Sequence, residues 1–102
     1  MDGTGGPTPP SGSCETLVID TQLSSPRAAV IATIVVGDLL DVELVNDGGN
    51  VVVVVKHHGQ IAGGLSAPLL VRLRECMERG VVYRAQVTAR RDALVRVRVA
   101  VV

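Results

Sequence analysis

Residues 80–102 constrain the fold more than any other stretch, because two runs in them alternate with period two. Val81-Val82-Tyr83-Arg84-Ala85-Gln86-Val87-Thr88 is the first run, and Leu94-Val95-Arg96-Val97-Arg98-Val99-Ala100-Val101-Val102 is the second. Ala89-Arg90-Arg91-Asp92-Ala93 separates them. Such alternation, rich in β-branched residues and broken by a short polar segment, predicts a β-hairpin with one buried face. Pairing around a five-residue loop sets Val87 opposite Val95, Ala85 opposite Val97 and Tyr83 opposite Val99. Arg84 then meets Arg98, and Gln86 meets Arg96, on the other side. One face of the hairpin is aliphatic and the other basic.

The rest of the chain reads as cover for the aliphatic face. Residues 16–20 predict a short strand. Ser25 and Pro26 then suit a helix start, as cap and first helical residue. Val30, Ile31 and Ile34 share one side of that helix at helical spacing. Residues 38–45 alternate again, and Asn46-Asp47-Gly48-Gly49-Asn50 supplies the positive φ of a tight turn. Five consecutive valines follow at 51–55, apolar on both faces, and they predict either a central strand or an edge covered by an interface. Val51, Val53 and Val55 are therefore candidates for self-association. His57-His58-Gly59 turns the chain into a strand stub at 60–62. Ser66 and Pro68 open a second helix, Gly80 closes it, and Leu69, Leu70, Leu73, Cys76 and Met77 line one side. Glu75–Arg79 and Arg74–Glu78 stand at ion-pair spacing on the other side.

The expected order is β-α-β-β-β-α-β-β, mainly β with two helices (α+β), which suits a small six-stranded β-barrel. Residues 14–102 form this single domain. Residues 1–13, dominated by Gly, Pro, Ser and Thr, predict a disordered tail. With no Trp or Phe and a single Tyr, the core is aliphatic.

Charge excludes some functions and suggests others. Formal net charge is zero, so the whole molecule exerts no general pull on a polyanion. Yet residues 1–55 hold seven acids and one base, and residues 56–102 hold nine bases and three acids. This asymmetry predicts either an acidic partner, head-to-tail self-association, or neutralisation of one half by the other within the fold. Arg84, Arg96 and Arg98 share the hairpin's outer face, and Arg90 and Arg91 occupy its tip. Planar guanidinium forks suit bidentate contact with carboxylate or phosphate. The plainer reading is a solvated face that protects the hairpin from aggregation.

Candidate catalytic and metal-binding groups are sparse. Adjacent His57 and His58 in a turn point apart, with no further ligand at metal spacing, and predict a solvated turn. Cys14, beside a flexible tail, is a poor platform for a nucleophile. Asp38 and Asp41 fall on opposite sides of a strand. Gly59-x-x-x-Gly63-Gly64 lacks the Lys-Ser/Thr of a phosphate loop. The chain is expected to be no enzyme and to need neither cofactor nor metal. Cys14 and Cys76 are too few for a disulfide framework and predict a reduced, cytoplasmic chain. The first residues lack the basic-then-apolar pattern of a leader, and no apolar run is long enough to span a membrane.

Between residues 37 and 99 a set of motifs occurs in a definite order. Gly37-Asp38-x-Leu40 enters a strand, and the valine strand 51–55 follows. Gly59-Gln60-Ile61-Ala62-Gly63 then precedes a helix with Leu69, Leu70 and Leu73, and Gly80-x-x-Tyr83-x-Ala85-x-Val87 and Val95-x-Val97-x-Val99 complete the set. In these features residues 37–99 resemble the HIRAN domain. The resemblance implies a small β-barrel with two helices that grips 3′ ends of single-stranded DNA. The family's Asn-Pro-x-Asp type turn is Asn46-Asp47-Gly48-Gly49-Asn50 here, without proline or a neighbouring aromatic. The resemblance thus transfers the architecture and leaves the ligand open. Two functions are expected in consequence. The first is a bacterial accessory module that binds a partner protein or itself, as an oligomer. The alternative is a nucleic-acid binder, with phosphates held by Arg84, Arg90, Arg91, Arg96 and Arg98. No membrane partner or small-molecule substrate is expected.

Overall fold

Pairing of the period-two segments gives six antiparallel strands in one sheet. The computed structural model describes residues 14–102, and the expected disordered tail, residues 1–13, lies outside them. The elements run β1 (Ile19–Gln22), α1 (Ala28–Ile31), β2 (Leu39–Asp47), β3 (Asn50–His57), β4 (Gln60–Gly64), α2 (Leu70–Glu78), β5 (Tyr83–Arg91) and β6 (Leu94–Val101). Residues 14–16 are also helical. That turn adds a third helix to the two expected; after it the order β-α-β-β-β-α-β-β is the expected one, and the strands lie β1-β6-β5-β2-β3-β4 across the sheet.

No ladder joins the edge strands β1 and β4, so the sheet is not closed. What links the two edges is an isolated bridge between Ser24, just past β1, and Gly64 at the end of β4. Both its backbone bonds are short: Ser24 N–H to Gly64 O at 2.9 Å and Gly64 N–H to Ser24 O at 2.8 Å. The neighbouring Gly63 makes this approach possible. A Cβ at Gly63 would come within 2.9 Å of Ser24 O, closer than a side chain tolerates.

The inward residues of every strand meet in one aliphatic core. Leu40, Val53, Val55, Val87, Val95, Val97 and Val99 are essentially sealed from solvent, together with Ile31 at the end of the first helix, Ile34 just past it and Leu73 on the second. Tyr83 is the core's single aromatic residue. The two glycine turns are alike: Gly48 and Gly49 join β2 to β3, while His58 and Gly59 join β3 to β4, all with positive φ. Paired positive φ values match the right-handed twist of the strands they connect.

Several local expectations are corrected. The C-terminal hairpin pairs two residues out of the expected register: Val87 faces Val97, Ala85 faces Val99, Gln86 faces Arg98 and Arg84 faces Ala100. The strands continue to Arg91 and Leu94, leaving only Asp92 and Ala93 in the turn, and a bulge at Thr88 takes up the extra residue. A shift of two keeps each side chain on its face, because the strand period is two. Neither helix begins at its expected serine. Ser25 adopts φ 47, and α1 is a single turn starting after Arg27 without a side-chain cap. The second helix starts after Leu69, three residues past Ser66, because residues 67–70 first make a turn closed by Leu70 N–H to Ala67 O. The i,i+4 pairs expected on α2 give way to an i,i+3 contact, Arg72–Glu75 at 3.9 Å. The first strand lies at Ile19–Gln22 instead of 16–20, since the chain before it is helical.

The cysteines are also corrected. Cys14 and Cys76 form a disulfide with Cα atoms 5.7 Å apart, spanning 62 positions of sequence. The expectation of two unpaired thiols rests on their number and on their places, beside a tail and on the apolar side of a helix. It could not see that residue 14 and the inner side of α2 meet over the core. No helix of the described residues is long and apolar enough to cross a membrane.

Candidate functional site

The outer face of the sheet carries most of the charge, and the strand register decides which charges stay available. Asp20 of β1 lies directly opposite Arg98 of β6, and the Arg98 Nε donates to Asp20 Oδ1 at 2.9 Å. Asp41 of β2 lies opposite Arg84 of β5, with Nε 3.4 Å from Oδ1. Lys56 of β3 reaches Glu43 of β2 at 2.9 Å. Each pair sets an acid of the first half against a base of the second. The three pairs offset three charges on each side of the asymmetry noted in the sequence. All three pairs are solvent-exposed or half-exposed, so each contributes only about 0.2–1 kcal/mol.

Of the five arginines singled out in the sequence, Arg84 and Arg98 are thus committed to neighbouring acids. The other three, Arg90, Arg91 and Arg96, have no ion pair among the described residues. They come together at the free end of the β5–β6 hairpin, around an open hollow of about 290 Å³ lined with Gln22, Ala89 and Leu94. The bulge at Thr88 is the cause. Beyond it, the inward–outward alternation of β5 breaks and residues 88–91 are all exposed. What results is a flexible-armed cationic tip with Gln22 as an added donor and Leu94, half exposed, as an apolar contact. Such a surface fits carboxylates or phosphates by charge and by hydrogen bonding. Tyr83, the only Phe, Tyr or Trp of the sequence, is buried, and its hydroxyl donates to the Cys14 carbonyl at 2.6 Å. Burial raises its pKa above the ordinary 10.0, and nearby Arg72 offsets part of that rise.

The valine strand is placed in the interior. Val53 and Val55 are buried in the core, and Val51 is half-buried. β3 pairs with β2 along nearly its whole length and with β4 from Val54 onward. Of the two readings of this run, a central strand is the one realised, so Val53 and Val55 offer no surface for self-association.

The histidines separate in role. His58 sits exposed in the turn at φ 52, but His57 is the buried end of β3, contrary to the solvated turn expected. Its Nδ1 is 2.9 Å from the Thr33 hydroxyl, and its Nε2 is 3.5 Å from Asp38 Oδ2. Sequence spacing gave no hint of this Thr33–His57–Asp38 chain, since His57 of β3 meets two residues of the α1–β2 connection. The Thr33 hydroxyl already donates its one proton to Val30 O at 2.7 Å, and Asp38 accepts from Val35 N–H at 3.0 Å. The arrangement ties the α1 turn to β3 and leaves Thr33 without the proton alignment of a nucleophile. Cys14, the other candidate nucleophile, is bound in the disulfide. Among the described residues no group of three or more His, Cys, Asp or Glu could hold a metal ion.

No protein-family model, no curated protein and no solved structure matches the chain.

Proposed function

We propose that this protein is a non-catalytic interaction module that binds an acidic protein surface through the tip of its β5–β6 hairpin. One observation carries the reading. Three guanidinium groups, Arg90, Arg91 and Arg96, gather around a single hollow and make no ion pair among the described residues, whereas their neighbours Arg84 and Arg98 are paired. An accessory component of a bacterial multi-protein system would use such a tip to dock on its partner. The HIRAN-like barrel belongs to the same proposal. It is supported by the Ser24–Gly64 bridge, which brings the two sheet edges together at one point. A cytoplasmic setting meets an opposing observation in the Cys14–Cys76 disulfide, because such bonds persist chiefly in oxidising compartments.

Nucleic-acid binding is the second reading, favoured by the same three arginines. It is weakened by the pairing of Arg84 and Arg98 and by the burial of Tyr83. Fluorescence anisotropy with a labelled polyglutamate peptide and a labelled single-stranded oligonucleotide separates the two. The peptide is expected to bind at low salt, with affinity lost in R90E/R91E/R96E. Preferential binding of the oligonucleotide, with affinity falling steeply as salt rises, would favour the second reading. Binding of neither would refute both.

A further inference from the structure

The sheet has a stagger that the proposed binding tip leaves unexplained. β2 and β5 are neighbours, yet they pair only over Leu39–Gln86, Leu40–Ala85 and Asp41–Arg84. Beyond Asp41, β2 runs on to Asp47 with only β3 beside it. Beyond Val87, whose N–H and C=O bond to Asp38 O and Gly37 N, β5 runs on to Arg91 with only β6 beside it. Because the strands are antiparallel, these two overhangs project from opposite ends of the sheet. Counting along the register places Asp47 and Arg91 roughly 40 Å apart at 3.3 Å per residue.

Each overhang exposes the edge that the other would cover. Asp38 turns its carbonyl toward β5, and strand alternation then points the backbone groups of Leu44 and Asn46 the same way. The β2–β5 ladder ends at the Asp41–Arg84 pair, and residues 43–47 have ladder partners in β3 alone. Where β5 diverges from β2, a hollow of about 360 Å³ opens between β2 and the chain leaving α2. Its walls include Val42, Leu44, Met77, Val81 and Val82, with Glu43 at its side. Val82 is 62 % exposed there. The opposite overhang ends in Arg90, Arg91 and the half-exposed Leu94. An aliphatic hollow at one end, with Asp47 farther along β2 at the strand's tip, matches an apolar-tipped, doubly basic strand at the other.

We infer that the occupant of the β2 edge is a second copy of this chain, which inserts its β5–β6 tip there and adds a strand antiparallel to β2. Within one molecule the same two edges already pair antiparallel for three residues, so the intermolecular contact continues that geometry in the next copy. Arg90 and Arg91 then lie beside Asp47, and Leu94 enters the hollow. The contact is head to tail, with different surfaces on the two partners, so it propagates into a chain instead of closing as a two-fold dimer. An edge of this length buries on the order of 1,000 Å² or less, which corresponds to weak, reversible association. This inference rests on the proposed binding role of the tip and names its partner.

Sedimentation velocity from micromolar to millimolar protein tests it. The expected result at low salt is a weight-average mass that rises past that of a dimer and falls again when salt is added. R90E/R91E and D47K/V82K alter exposed positions at the two ends. Each is expected to raise the concentration needed for association by about tenfold or more, as loss of complementary charge does. Mixing these two variants restores opposite charge across the contact and is expected to restore assembly. A strict monomer over the whole range would overturn the inference. So would association that stops at the dimer, or a mixture that fails to assemble where the unaltered chain does. Polyglutamate binding by a strictly monomeric protein would leave the tip's binding role standing and remove only the second copy as its partner.

Discussion

Reducing the Cys14–Cys76 disulfide should release the segment around Cys14 from the core and cost much of the domain's stability. The link closes a loop of 62 positions, for which chain entropy alone gives about 4 kcal/mol of stabilisation. Domains of this size are stable by only about 5–15 kcal/mol in total. The melting temperature should therefore fall by about 15 °C or more on reduction. A second contact makes the prediction specific. The Tyr83 hydroxyl donates to Cys14 O at 2.6 Å in a buried site, and losing such a bond costs about 1–2 kcal/mol. If reduction frees residue 14, Tyr83→Phe should be costly in the oxidised protein and nearly neutral in the reduced one. Urea denaturation of both proteins, with and without reductant, measures this coupling. Tyr83 also supplies an optical readout. Its pKa lies above 10.0 in the fold, chiefly through burial. The neutral phenol is thus favoured by folding, a contribution complete below pH 10 and lost as pH rises through the folded-state value. Phenol absorbance should titrate above pH 10 in the oxidised protein and move back toward 10 after reduction. Equal stability in both redox states, together with an unchanged phenol titration, would refute the reasoning.

Two further outcomes follow from the sheet. Gly63→Ala should destabilise the domain by about 1–3 kcal/mol in urea denaturation, because its Cβ would meet the backbone oxygen of Ser24 at 2.9 Å; hydrogen exchange at Ser24 and Gly64 should speed up most. Arg98→Gln should cost less than about 1 kcal/mol, since both partners of the Asp20–Arg98 pair are more than half exposed; a larger loss would mean that the charge ladder holds β1 in place.

The sequence alone carries the order of the elements after residue 16, the faces of the strands and the aliphatic nature of the core. These follow from local periodicity, and they survive the two-residue change in hairpin register because an even shift preserves the face. It also located the basic residues, but not which of them remain available. That was settled by register alone: Asp20 falls opposite Arg98 and Asp41 opposite Arg84, while the bulge at Thr88 turns Arg90, Arg91 and Arg96 toward one hollow. The disulfide, the Thr33–His57–Asp38 chain and the Ser24–Gly64 bridge likewise join residues far apart in the chain. No local pattern encodes such meetings, because they depend on how the sheet curls over its core. Ser25 and Ser66 had the residue type of helix caps, yet the backbone at those points was set by packing, which outweighs the small energy of a cap.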